Sequence, residues 1–340
     1  MIELRDQALA FTFPEVHPQA GCTVDFQRTL RIPDDGQQYP LPAGLGPFPL
    51  QHVDDYKDKL PPAWAQHGGV FLPMYQSEAL WVNFSGHRNS SYPCAVKIAA
   101  GKINAVSGQP WCQELVADPQ DYVVLPTQPW LDGYAVSKGL IRQFVAMPLG
   151  QGFTAEEQLT GAAAHGGLQI LVYPMKREHY LALEAAWARA KAEMAARGYD
   201  DMIPPAFIRV QEKPMGFAPG GLMQQVIARD HYGSDAWDQT VGSRCFVHIT
   251  NSQSYLAITG QEPPHVPLTA KDYQQHGMPW FTYYHADQAP LPGSPILGAL
   301  DSLANRHLKQ GQGPLPDNDS LAPQVVVGLG KQGQIREGAF

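Results

Sequence analysis

The stretch 128–169 (QPWLDGYAVSKGLIRQFVAMPLGQGFTAEEQLTGAAAHGGLQ) packs more backbone punctuation into 42 residues than any other part of the chain, and so restricts its folding most. Asp132-Gly133 stands between apolar residues. Both central positions of a two-residue hairpin loop need positive φ, so this dipeptide predicts a hairpin. Lys138-Gly139 repeats the signal ahead of Leu140, and the run 140–147 reads as a buried strand that admits two polar residues, Arg142 and Gln143. Thr154 and Glu157 have capping-box spacing, in which the hydroxyl accepts from the third helical amide and the carboxylate reaches back. Gly161 is a stop for the short helix that this cap begins. Beyond it, 162–167 can pass close to a ligand, because Gly166 and Gly167 carry no side chain to clash.

Turn residues are as frequent elsewhere: the 340 residues include 31 prolines and 32 glycines, while only 16% are charged. Short strands and ordered loops suit that balance better than a helical bundle. The expected fold is β-rich α+β, a mostly antiparallel sheet or sandwich. Polar and apolar residues alternate over 23–32, which predicts a half-buried strand with a solvent face. The segment 39–50 (YPLPAGLGPFPL) has four prolines and two glycines, and reads as an apolar loop draped over a core. Hairpins are expected for 69–74 with 79–84, and for 95–99 with 102–106. With a strand at 121–125, everything up to Met147 reads as a meander of sequence neighbours. Tyr180, Leu183, Trp187, Ala190 and Met194 recur at helical spacing, predicting one long amphipathic helix over 176–197 packed on the sheet. A shorter helix is expected at 294–307, a second capping box at Thr269 to Asp272, and strands at 207–210, 221–228, 245–250, 254–258 and 325–327. The segments 71–85 and 246–260 both read strand, polar turn, strand, as a duplication would. The chain reads as one compact unit, 1–340. The alternative is a β-rich half 1–175, a connecting helix 176–198 and a second half 199–340.

Charge and composition narrow the partners. A net charge of −8 without a Lys/Arg cluster disfavours nucleic acid and anionic membrane surfaces. No run of about 18 apolar residues offers a membrane span. The amino-terminal sequence lacks a basic segment followed by an apolar one, so a cytoplasmic location is expected. Four scattered cysteines, Cys22, Cys94, Cys112 and Cys245, fit free thiols in a reducing compartment.

Catalytic signatures are missing: there is no HExxH, GxSxG, P-loop or paired CxxC. Gly328, Gly330 and Gly333 match a dinucleotide fingerprint, but only seven residues follow Gly333, too few for the helix and strand such a site needs. No cofactor is implied. His165 is the best candidate for acid–base work, with Asp132, Glu156 and Glu157 in the same stretch, since imidazole titrates near neutrality. A cleft formed by loops 128–133, 160–167 and 217–221 would unite the catalytic candidates His165, Asp132 and Glu157 with the ligand-binding candidates Trp130, Gly166, Gly167, Gly220 and Gly221. Asp230, Asp235 and Asp238 have spacing that a curved loop could wrap around a hard cation, although such loops are commonly plain turns.

The strings CTVDFQRTLRIPDD, QPWLDGY, RQFVAMPLG, EEQLTG and PMGFAPGG resemble a group of uncharacterised bacterial proteins over most of the chain. That resemblance implies no fold, activity or functional residue. Two functions therefore compete. The first is a binding or self-assembly protein, with itself as partner and a possible small polar ligand. The second is a hydrolase-like acid–base enzyme acting on a small polar substrate in the cleft just defined.

Overall fold

Short apolar runs broken by glycine and proline fold into twenty β-strands and seven α-helices among the residues that the computed structural model describes, 1–87, 90–195, 215–283 and 289–329. The first part of the chain contains β1 (Ile2–Arg5), β2 (Ala8–Thr12), β3 (Gly21–Thr29), β4 (Gln38–Tyr39), β5 (Leu41–Pro42), β6 (Gly44–Pro47), β7 (Gln51–His52), α1 (Pro62–His67), β8 (Val70–Pro73) and β9 (Ala79–Gly86). Next come β10 (Cys94–Ala100), β11 (Ile103–Asn104), β12 (Val123–Leu125), β13 (Trp130–Leu131), β14 (Gly133–Ser137), β15 (Leu140–Pro148), α2 (Ala155–Thr160), β16 (Leu168–Pro174) and α3 (Arg177–Ala195). The last part holds β17 (Met215–Gln224), β18 (Ser243–Thr250), α4 (Ser252–Thr259), α5 (Ala270–Gln275), β19 (Trp280–Tyr283), α6 (Pro295–Gly298), α7 (Leu303–Lys309) and β20 (Val326–Leu329).

The largest sheet runs β1-β2-β3-β9-β15-β17-β4, with β13 on β9, β14 on β15 and β6 on β3. A second runs β11-β10-β16-β18-β8-β7, with β12 on β10, and a small third is β20-β19-β5. Most pairs are antiparallel, but β4 with β17, β8 with β18 and β19 with β20 are parallel. Val24, Phe26 and Phe144 of the first sheet join Val96, Ile170 and Val247 of the second in one continuous core. The β-rich expectation holds, and the sheets are mixed, mostly antiparallel with three parallel pairs among the described strands.

Signals that concern a single turn hold in the structure. The β14–β15 hairpin closes at Lys138-Gly139, with Gly139 at φ +73° and Ser137 opposite Leu140. Strands β10 and β11 pair across Gly101, and Thr154 caps α2 in the expected box with Gly161 left-handed at its end. The box at Thr269 caps α5.

Pairings between distant segments differ from expectation. Asp132-Gly133 makes no hairpin: Leu131 pairs with Val82 on β9, while Gly133 pairs with Gln143 on β15. The dipeptide hands the chain from one neighbour to the next. Gly133 is needed because a Cβ there would lie 1.9 Å from the Arg142 carbonyl oxygen. The expected hairpin 69–74 with 79–84 also fails, since β8 and β9 belong to different sheets, so the chain up to Met147 is no meander. The proposed duplication fails with it: one segment crosses between sheets, whereas 254–258 is helical within α4. The segment 217–221 is no loop but the middle of β17, which tolerates Pro219 opposite Phe144 next to a register shift. The helix expected at 294–307 is two, α6 and α7, capped by Ser294 and Ser302.

Helix α3 forms, but not as an amphipathic helix laid on the sheet. Tyr180 is buried against Tyr92 and Leu183 is half-buried, yet Leu181 and Trp187 are 45% and 42% exposed. Among its described side chains, packing is confined to the first turns, at Tyr180 and Leu183. The expected strand 207–210, the helix end at Arg197 and most of the glycine motif 328–333 lie outside the described residues. No described helix is long and apolar enough to cross a membrane.

The face of β3 expected to meet solvent is covered. Asp25 and Gln27 are each 3% exposed. In the proline-rich segment 39–50, β4 and β6 extend this sheet beside β17 and β3, while β5, paired with β19, brings Leu41 and Pro42 over its face. Between β5 and β6, the Ala43 carbonyl accepts from the Thr29 hydroxyl at 3.2 Å.

Candidate functional site

Because alternate residues of a strand share a face, the register assembles one polar and aromatic surface beneath that cover. Gln27 stands opposite Trp81, and Asn83 stands opposite both Asp25 and Trp130. Leu41, Pro42 and Phe281 close over Trp81, Trp130 and Asp132 to leave a cleft of about 190 Å³. Trp130 is steeply inclined both to Trp81 in the cleft and to Tyr283 beside it. Trp81 and Trp130 meet at 6.3 Å and 73°, and Trp130 meets Tyr283 at 4.9 Å and 73°.

Among the described residues, Asp132 is the only ionisable group at the wall of this cleft, and it is 4% exposed. The Gln225 amide nitrogen donates to its Oδ2 at 2.7 Å, and the Asp132 backbone N–H donates to Gln225 Oε1 at 3.0 Å. Among the described residues no Lys, Arg or His forms an ion pair with it. Burial pushes its pKa up to about 7 against the hydrogen bonds from Trp130 and Gln225, which favour the ionised form. On β3, across β9 from β13, burial also raises Asp25, whose carboxylate accepts from the Gln27 amide and, at 2.8 Å, from Asn83.

The other sequence candidates lie in different surroundings. His165 does meet a carboxylate, but it is that of Glu156, with Nδ1 2.7 Å from Oε1. Oε2 of Glu156 accepts from the His165 and Gly166 backbone N–H groups at 3.2 and 3.3 Å. The carboxylate thus pins loop 162–167 to α2. The space between Gly101, Glu156 and Gly166 admits no water molecule. Gly166 and Gly167 have φ of +56° and +58°, and a Cβ on Gly167 would meet the Val247 carbonyl at 2.4 Å. Glu157 is engaged in its own cap, accepting from the Gly150 and Gly152 N–H groups, each at 2.8 Å, and from the Thr154 hydroxyl at 2.7 Å. Gly220 and Gly221 sit in β17, where a Cβ would strike Val145 at 2.5 Å and the Pro33 carbonyl at 2.3 Å. These glycines make room for the protein's own chain.

Asp230 is held by Tyr122, Trp237 and the Tyr232 N–H at 2.7, 2.9 and 2.8 Å, while Asp238 accepts from Thr240. Neither they nor Asp235 belong to a metal set. Among the described residues no three His, Cys, Asp or Glu side chains converge to hold a metal ion.

Of the candidates, then, Trp130 and Asp132 share the aromatic cleft, and His165 and Glu157 make their bonds at the start of α2. Sequence reasoning missed Trp81, Phe281, Gln225, Asp25 and Gln27. The alternation that places Asp25 with Gln27 and Trp81 with Asn83 is visible in the chain, but alternation alone does not say that a loop and a third sheet cover the polar face. A larger cavity of about 360 Å³ borders Arg31, Glu78 and His307, and Arg31 Nη1 and His307 Nδ1 are buried without a hydrogen-bond partner among the described residues. Arg28 holds Glu78 at 2.9 Å, and Arg31 donates to the Pro316 and Asp317 carbonyls at 2.6 and 2.8 Å. No protein-family model, curated protein or solved structure matches the chain.

Proposed function

We propose that the chain is a binding protein for a small organic cation, an amine or methylated ammonium, taken up in the aromatic cleft. The observation that carries this reading is Asp132, a buried carboxyl without a counter-cation among the described residues, at the wall of an otherwise apolar pocket of three rings. A carboxylate in such surroundings is costly to ionise, and perturbed groups of this kind concentrate at binding sites. An ammonium supplies the missing charge. Its alkyl groups suit the apolar walls, and the ring faces attract cations by about 0.5–2 kcal/mol each. A neutral polyhydroxylated ligand would need several convergent hydrogen-bonding groups, and Asp132 is the only side-chain acceptor among the described residues that line the cleft. The volume of about 190 Å³ is below the roughly 300–1,000 Å³ of pockets for drug-sized molecules, so the ligand is small. A net charge of −8 favours a cationic over an anionic ligand at long range.

Calorimetric titration with choline and with its neutral isostere 3,3-dimethylbutanol, at pH 8, tests the reading. Choline binds saturably and at least about tenfold more tightly than the alcohol, an advantage of roughly 1.4 kcal/mol. Asp132→Asn and Trp130→Ala each abolish that advantage. Equal affinities for the two ligands, or saturable binding of neither, would overturn the proposal.

A further inference from the structure

A second chemistry is set up on the opposite sheet, independent of the aromatic cleft. Lys97 on β10 is 1% exposed. Its ammonium lies 2.6 Å from Asp121 Oδ2 and 3.1 Å from the Cys112 sulfur, donates to the Glu114 carbonyl, and stands 5.7 Å from the centre of the Trp111 ring. Cys112 is half-exposed, whereas Cys22, Cys94 and Cys245 are buried. A solvent-reached sulfur is thus held against an amine that cannot turn away, with a carboxylate bonded to the same amine.

We propose that Cys112 and Lys97 form a peroxide-driven sulfenamide cross-link, a reversible covalent bond between Sγ and Nζ. Hydrogen peroxide oxidises the thiol to sulfenic acid, its own O–O bond breaking and one water leaving. The Lys97 nitrogen, relieved of a proton by Asp121, then attacks sulfur. The S–N bond forms as the S–O bond breaks, and the departing hydroxyl takes the proton from Asp121 to leave as water. The nitrogen sheds one further proton to solvent and keeps one. The balance is sulfenic acid plus ammonium giving sulfenamide, water and a proton, with no oxidant beyond the first peroxide. Burial raises the Asp121 carboxyl, which suits it to borrow and return that proton. A thiol attacking the sulfur reverses the bond and restores the amine. While it stands, the cross-link removes the positive charge that Asp121 faces, so the oxidised protein carries an unmatched buried carboxylate.

The test treats the full chain with a small excess of hydrogen peroxide at pH 7.5 and maps the digest by mass spectrometry, before and after dithiothreitol. The expected product is a linked pair of peptides containing Lys97 and Cys112, lighter by two hydrogens than their sum and resolved by the thiol. Lys97→Arg should instead accumulate sulfenic acid at Cys112, captured by dimedone, and Cys112→Ser should give neither species. Wild-type Cys112 passing to dimedone-reactive or sulfinic forms without a link to Lys97 would overturn the proposal. So would loss of two hydrogens confined to Cys22 and Cys94, which are also hydrogen-bonded to each other. The wild-type map alone decides the matter if a variant fails to fold.

Discussion

At Asp132 the physics of one side chain has a consequence for stability as well as for binding. Its carboxyl ionises near 3.8 when exposed and at about 7 when folded, so between those values the folded chain holds a proton that the unfolded chain has lost. Stability attributable to this residue therefore falls as pH rises from about 4 to about 7 and is flat above. Asp132→Asn does not titrate and retains an acceptor for Gln225. The variant should melt at the wild-type temperature near pH 4 but several degrees higher at pH 8, since each tenfold difference in proton affinity between the folded and unfolded chain is worth about 1.4 kcal/mol. A wild-type protein that melts higher than the variant at pH 8 would contradict a raised Asp132 carboxyl. Glu156 has a different character, because its carboxylate satisfies three donors of the loop 162–167. Glu156→Ala should cost about 2–3 kcal/mol in denaturant unfolding and leave choline affinity unchanged, and a loss of binding without a loss of stability would move the site toward His165. The sequence offered Trp130 as a ligand-binding and Asp132 as a catalytic candidate within one stretch, and both line the aromatic cleft. Their separation from His165 was not legible there, because only 33 positions divide Asp132 from His165 in the chain while the sheets set them in different surroundings.

Secondary-structure elements divide by whether their cause is local. The Thr154 and Thr269 caps, the Gly139 turn and the Gly101 turn were all readable, since each depends on residues within a few positions. The exchange of partners at Asp132-Gly133 was not, because it depends on the Arg142 carbonyl of another strand. Gly133→Ala should accordingly destabilise by more than about 3 kcal/mol in chemical unfolding, whereas an alanine-tolerant turn there would lose under about 1 kcal/mol. Helix α3 illustrates the converse error. The spacing of Tyr180, Leu183 and Trp187 is helical, but periodicity does not show how many turns find a surface to pack on. Tyr180→Ala should cost about 3 kcal/mol and Trp187→Ala within about 0.5 kcal/mol, as measured by urea midpoints. Comparable losses at both positions would mean that the helix packs along its length.

Across the whole molecule, many turns and few charges sufficed to indicate a β-rich fold, because composition limits how long an element can run. They could not indicate that segment 39–50 joins two sheets and, in doing so, brings Leu41 and Pro42 over the face that carries Trp81, Trp130 and Asp132. Covering that face is what buries Asp132, which has no ion-pair partner among the described residues, and so links architecture to the proposed function. The most direct measurement is choline affinity from pH 5 to pH 8.5, with the binding heat at pH 6 compared between two buffers of different ionisation enthalpy. Binding a cation requires Asp132 to be ionised, so affinity should rise about tenfold per pH unit up to about 7 and then level. Near pH 6 the two buffers should differ in heat by the release of about one proton per ligand. An affinity that is constant across this range, or that weakens as pH rises, would contradict the account.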